Sequence, residues 1–84
     1  MFYVYVLDSN KDGKLYIGRT DDLRRRLNEH NLGKVASTRH RRPFKLCFYE
    51  SFIDKRDSIR RERYFKTSKG RSSLGQIIRY SIDS

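Results

Sequence analysis

This sequence predicts a small α/β domain, a three-stranded antiparallel sheet flanked by helices, and three observations lead to it. FYVYVL at residues 2–7 is β-branched or aromatic almost throughout, as suits a strand covered on both faces. The stretch from Tyr16 to His30, YIGRTDDLRRRLNEH, reads as strand, turn and helix in that order. FKLCFYESF at residues 44–52 alternates as a third strand and runs into a second helical pattern. With 84 residues there is room for one domain with little surplus stability. A charged fraction of 36% alone would suit a disordered chain, but 13% aromatic residues and clear periodicities predict a folded one.

In the first strand Phe2, Val4 and Val6 take one side, and Tyr3, Tyr5 and Leu7 the other. DSNKDGK follows with an Asp12-Gly13 turn signal and returns the chain into LYIG, so residues 2–19 predict a β-hairpin. Asp8, Asn10, Asp12 and Gly13 also resemble the start of a calcium-binding loop. The position that must supply a bidentate glutamate is Arg19, however, which excludes calcium there.

Thr20 is placed to cap the next helix, with Asp21 and Asp22 in its first turn and a span of about 21–31. With Leu23 at zero, Leu27 falls at about 40°, Arg26 at about 300° and His30 at about 340°, so Arg26 and His30 share the apolar stripe. Arg24, Arg25, Asn28 and Glu29 form the solvated face. A partly buried cation needs a partner, either a phosphate or an internal carboxylate.

Gly33 ends this helix, and LGKVASTRHRRP offers Lys34, Thr38, Arg39, Arg41 and Arg42 to a phosphate backbone. In the third strand Phe44, Leu46, Phe48 and Phe52 are expected on one face. Asp54 then caps a helix reaching to about Thr67, with Asp57 in its first turn. With Ile59 at zero, Glu62 falls near about 300° and Phe65 near about 240°, so Glu62 lies within the stripe, and Arg60, Arg61 and Tyr64 take the outer face. A break at SKGRSS, centred on Gly70, precedes a short helix with Leu74, Ile77 and Ile78 at core spacing. Residues 81–84 are expected to fray.

Twenty lysines and arginines against ten acids give a net charge of +10, the footprint of a nucleic-acid partner, with an anionic membrane surface as the competing explanation. No apolar run approaches the roughly 18 residues of a spanning helix, and the N-terminus lacks the pattern of a signal peptide, which predicts a soluble, cytoplasmic protein without a membrane partner. The single cysteine, Cys47, sits in a strand pattern and reads as a packing residue, which argues against disulfides and cysteine-based zinc.

Arg26 and His30 on one helix and Glu62 on another leave two explanations open, an internal Arg26–Glu62 ion pair or a reaction centre. Tyr5 and Tyr16 in the hairpin would each need a hydroxyl partner if buried. Here the chain resembles the GIY-YIG endonuclease superfamily, in particular small stand-alone members similar to the N-terminal nuclease domain of UvrC. Tyr3-Val4-Tyr5 stands where the family has its GIY tripeptide, and Tyr16-Ile17-Gly18 is the YIG tripeptide intact. Thr20, Asp22, Leu23, Arg26 and His30 follow at matching spacing, and Thr38 to Pro43 resembles the family's approach to the third strand. RRERYFKTSKGR resembles its glutamate helix, with Glu62 in the metal-ligand position. The departure is at GIY, where only the tyrosine is kept.

The resemblance implies a metal-dependent endonuclease acting on DNA, in repair or recombination, with Mg²⁺ or Mn²⁺ on Glu62. It implies Arg26 as the phosphate grip, His30 as its orienting neighbour, Tyr5 as general base and Tyr16 as its hydrogen-bonding companion. Arg19, Arg24, Thr38, Arg39, Arg42, Lys66, Lys69 and Arg71 would hold nucleic acid. A non-catalytic nucleic-acid-binding module on the same fold is the alternative, and a basic structural protein explains the charge but not Glu62.

Overall fold

The computed structural model describes residues 1–82. Strand β1 is Phe2–Ser9, β2 is Leu15–Thr20 and β3 is Phe44–Phe52. The helices are α1 (Leu23–Asn31), α2 (Lys55–Phe65), α3 (Ser68–Ile77) and α4 (Arg79–Ile82), and a 3-10 turn spans Arg39–Arg41. The sheet is three-stranded with both pairings antiparallel, as predicted, and its order is β2-β1-β3. Gly13 and Gly33, both at positive φ, end the hairpin turn and α1 as expected.

The central strand is covered on both faces. Val4 and Val6 pack with Ile17, Phe65, Leu74 and Ile78 on the side of α2 and α3. Tyr5 and Leu7 pack with Phe44, Leu23 and Leu27 on the side of α1. The single apolar face expected of β3 is corrected by an irregularity in its pairing. Phe48 lies opposite Val6 while Leu46 lies opposite Leu7, which leaves Cys47 as an extra residue. One inserted residue moves everything beyond it to the other face. Phe44 and Leu46 therefore join the α1 side, and Cys47, Phe48 and Phe52 the other. The Cys47 thiol donates to the Val6 carbonyl at 3.4 Å, and burial pushes its pKa up, consistent with a packing role.

Helix boundaries differ from expectation for local reasons. Asp22, not Thr20, caps α1, accepting from the Arg25 amide at 3.0 Å, while Thr20 Oγ1 accepts from the Asp22 amide. Asp54 caps α2 as predicted, at 2.9 Å from the Arg56 amide. The break falls at Lys66 and Thr67, because Thr67 caps α3 by accepting from the Gly70 amide at 3.0 Å. Gly70 is buried inside α3, where an added Cβ would overlap the Tyr64 carbonyl, so its lack of a side chain lets α3 cross the end of α2. Leu74 and Ile78 enter the core, but Ile77 is 47% exposed. Tyr64 and Arg61 are not purely outward. Tyr64 packs against the core, and Arg61 lays its guanidinium 4.3 Å from the Phe65 ring centroid while pairing with Glu50 at 2.8 Å. Residues 81 and 82 are helical, not frayed, and 83 and 84 lie outside the described residues.

Candidate active site

Tyr5, from the central strand, is 2% exposed and sits opposite Gly18 of β2. A Cβ at Gly18 would fall on the Tyr5 hydroxyl; the glycine of the YIG tripeptide gives the phenol its passage across β2. The Tyr5 hydroxyl lies 2.9 Å from His30 Nε2, and His30 Nδ1 lies 2.8 Å from Thr38 Oγ1. Thr38 Oγ1 is in turn 3.5 Å from the Val35 carbonyl. If the Thr38 hydroxyl donates to that carbonyl, it accepts from Nδ1–H, and Nε2 accepts from Tyr5. Tyr16 closes the cluster, its ring centroid 5.1 Å from that of His30 and 6.4 Å from that of Tyr5.

Burial sets the protons of this cluster. It pushes the Tyr5 pKa up to about 12, against the pull of the hydrogen-bonded Arg26 guanidinium and with added repulsion from Tyr16 and Glu62. Burial, then the charge of Arg26, brings His30 down to about 4, so at neutral pH the phenol keeps its proton and the imidazole is uncharged. Arg26 gains basicity from Tyr5 and from Glu29, which it meets at 3.2 Å.

The internal Arg26–Glu62 pair left open by the sequence is not the one formed. Glu62 Oε1 faces Arg19 Nε at 3.5 Å and Oε2 faces Lys66 Nζ at 3.4 Å. Arg19 Nε is buried without a hydrogen bond, held only by that charge. Among the described residues no three His, Cys, Asp or Glu side chains gather as a metal cage. The glutamate nevertheless suits a hard divalent ion. Its side chain is 21% exposed and offers oxygen donors, and Mg²⁺ or Mn²⁺ is content with one or two carboxylates, several waters and a phosphate.

Two basic cavities adjoin these groups, each lined by one partner of Glu62. Arg19, Arg25, Arg26 and Lys55 line a cavity of about 300 Å³, together with Asp21 and Glu29, which pair with Arg25 and Arg26. Lys14, Tyr16, Arg41, Lys66 and Arg71 line one of about 550 Å³. Of the expected nucleic-acid contacts, Arg19 thus lines the smaller cavity, and Lys66 and Arg71 the larger. Arg24 instead lines clefts beside Asp22. Arg39 and Arg42 turn toward their own segment, Arg42 Nε donating to the Arg39 carbonyl at 2.8 Å, and Lys69 is exposed on α3. Thr38 requires a correction: it is fully buried against His30 and cannot meet nucleic acid from there. Sequence reasoning did not single out Arg25 or Lys55 as site residues, because both occupy solvated first turns of helices and only the fold turns them toward one cavity. Asp12 of the rejected calcium loop pairs with Arg41 at 2.7 Å, which holds its carboxyl well below the usual range.

Beside β2, the fold thus brings two tyrosines, an arginine, a histidine and a glutamate together among cationic side chains, the residue types of a GIY-YIG domain. The family model described as the GIY-YIG catalytic domain matches residues 1–74, and the chain belongs to that family. A UPF0213 protein of Streptococcus agalactiae is 46% identical over 76 residues, covering 89% of this chain and 85% of its own length. A UPF0213 protein of Bacillus pumilus is 50% identical over 66 residues, 77% of this chain and 66% of that one. Among solved structures, the solution structure of a UPF0213 protein from Bacillus halodurans superposes with a TM-score of 0.60 at 32% identity, over 100% of this chain and 95% of that one. No helix among the described residues is long and apolar enough to cross a membrane.

Proposed function

We propose that this protein is a metal-dependent endonuclease that hydrolyses phosphodiester bonds in DNA, with Tyr5, Tyr16, Arg26, His30 and Glu62 as its catalytic set. The observation that carries the reading is the hydrogen-bonded Tyr5–His30 pair, next to Arg26 and within the field of Glu62, at an edge flanked by two basic cavities. A place in repair or recombination follows only from the resemblance to the UvrC nuclease domain.

Phosphodiester hydrolysis needs an activated water, neutralisation of charge on the phosphoryl oxygens and a stabilised leaving oxygen. A divalent ion on Glu62, when bound, supplies Lewis-acid neutralisation of that charge. Arg26 already faces the phenol and is steadied by Glu29, so its fork is preorganised for a non-bridging phosphate oxygen. Tyr5 takes a proton from water only after yielding its own, and His30 Nε2 at 2.9 Å is the acceptor in place. With the phenol at about 12 and the imidazole at about 4, the proton rests on Tyr5. The negative charge of Glu62 contributes to that, so any cation that offsets Glu62 makes the phenolate easier to form. Thr38, through Nδ1, keeps Nε2 turned to the phenol.

A non-catalytic binding module is the competing reading, and it draws on the two cations that already face the Glu62 carboxylate. Cleavage of labelled single-stranded, duplex, flapped and branched DNA and a matched RNA, with Mg²⁺, Mn²⁺ or EDTA, separates the two. The proposal expects cutting of DNA that EDTA abolishes. Binding of the whole panel with no cut under either metal contradicts it.

A further inference from the structure

We infer that the larger cavity beside Tyr16 is a pocket for one extrahelical nucleotide, its base resting on the apolar floor and its phosphate on Lys14 and Arg71. Its place next to the cut bond rests on the nuclease reading. The floor is the half-buried Leu15 together with the edges of the core residues Ile17 and Leu74, and Tyr16 forms part of the wall. Four cations surround it from separate stretches of chain: Lys14 before β2, Arg41 in the 3-10 turn, Lys66 at the end of α2 and Arg71 in α3.

Two of the four are engaged, Arg41 by Asp12 at 2.7 Å and Lys66 by Glu62 at 3.4 Å. Neither the Lys14 ammonium nor the Arg71 guanidinium is within an ion pair among the described residues. A purely apolar ligand would leave those two charges unmatched, and a bare phosphate would leave the floor uncovered. Regular duplex offers this face only its backbone, since its bases are stacked and paired. A nucleotide whose base is out of the stack satisfies both halves of the pocket at once. A volume of about 550 Å³ lies within the roughly 300–1,000 Å³ of small-ligand sites. The pocket shares Tyr16 with the Tyr5–His30 cluster and Lys66 with Glu62, which sets a nucleotide held there beside the reaction centre.

The test is metal-free binding of the whole chain in EDTA, followed by two-dimensional NMR. The probes are inorganic phosphate, a deoxynucleoside monophosphate, a blunt duplex, the same duplex with one bulged nucleotide, and a short single strand. The amides of Leu15, Tyr16, Ile17 and Leu74 should shift with the monophosphate, the bulged duplex and the single strand, and not with phosphate or blunt duplex. The double variant Lys14→Ala, Arg71→Ala should weaken the bulged duplex about tenfold and the blunt duplex less than about twofold. Equal shifts from phosphate and the monophosphate, or from blunt and bulged duplex, overturn the inference. Shifts from the monophosphate that no strand reproduces also overturn it, since they assign the pocket to a free nucleotide. Because no cleavage is needed, silence in this cavity from a protein that cuts DNA removes this inference alone. A responsive pocket in a protein that never cuts removes the nuclease reading alone.

Discussion

Tyr5 and Thr38 show how two buried hydroxyls can govern one histidine. Tyr5→Phe keeps the ring and removes the proton that Nε2 accepts; cutting should fall by at least about 100-fold while DNA affinity stays within about twofold in a filter-binding assay. Thr38→Val leaves Nδ1 without its partner and should cost about 1–3 kcal/mol on a denaturant curve. Imidazole proton signals would show the freed tautomer directly. His30, with its pKa lowered to about 4, also makes stability depend on pH. The unfolded chain takes up a proton near 6.5 that the folded chain refuses until about 4, so stability is complete above pH 6.5 and is lost as the pH falls through that window. The loss should reach about 2 kcal/mol at pH 5, and His30→Gln should flatten it. The helical spacing made Arg26 and His30 legible as inward-facing residues. Thr38 was not legible, because an irregular loop carries no periodicity and its partner is eight residues back along the chain.

At the scale of elements, the caps and close approaches decide what the hydrophobic pattern leaves open. Asp54→Ala should cost about 1 kcal/mol through loss of the Arg56 amide bond. Gly70→Ala should cost about 3 kcal/mol or more, since its Cβ would meet the Tyr64 carbonyl; both are read from denaturant midpoints. The three strands, the first hairpin and two of the long helices were legible because alternation, turn and capping residues coincide there. Two features were hidden. The extra residue at Cys47 looks like any strand position until pairing with β1 fixes the register. Gly70 reads as a breaker by propensity, yet packing against α2 keeps it inside α3.

Across the molecule, a charge of +10 becomes useful only where the fold concentrates it. Glu62 is the acid at the junction, with Arg19 leading to one basic cavity and Lys66 to the other. Affinity for DNA carrying a bulged nucleotide should fall steeply with salt, and Arg71→Ala should lower the slope of its log affinity against log salt by about 1. Arg24→Ala, which lines neither basic cavity, should leave it nearly unchanged. The measurement that bears most directly on the nuclease reading is the cutting of labelled DNA by wild type and Glu62→Gln in Mg²⁺, with binding followed in parallel. Cutting that Glu62→Gln abolishes while binding persists is the predicted result. Equal cutting by the two proteins would contradict a role for Glu62 in the chemistry and leave it as the counter-ion of Arg19 and Lys66.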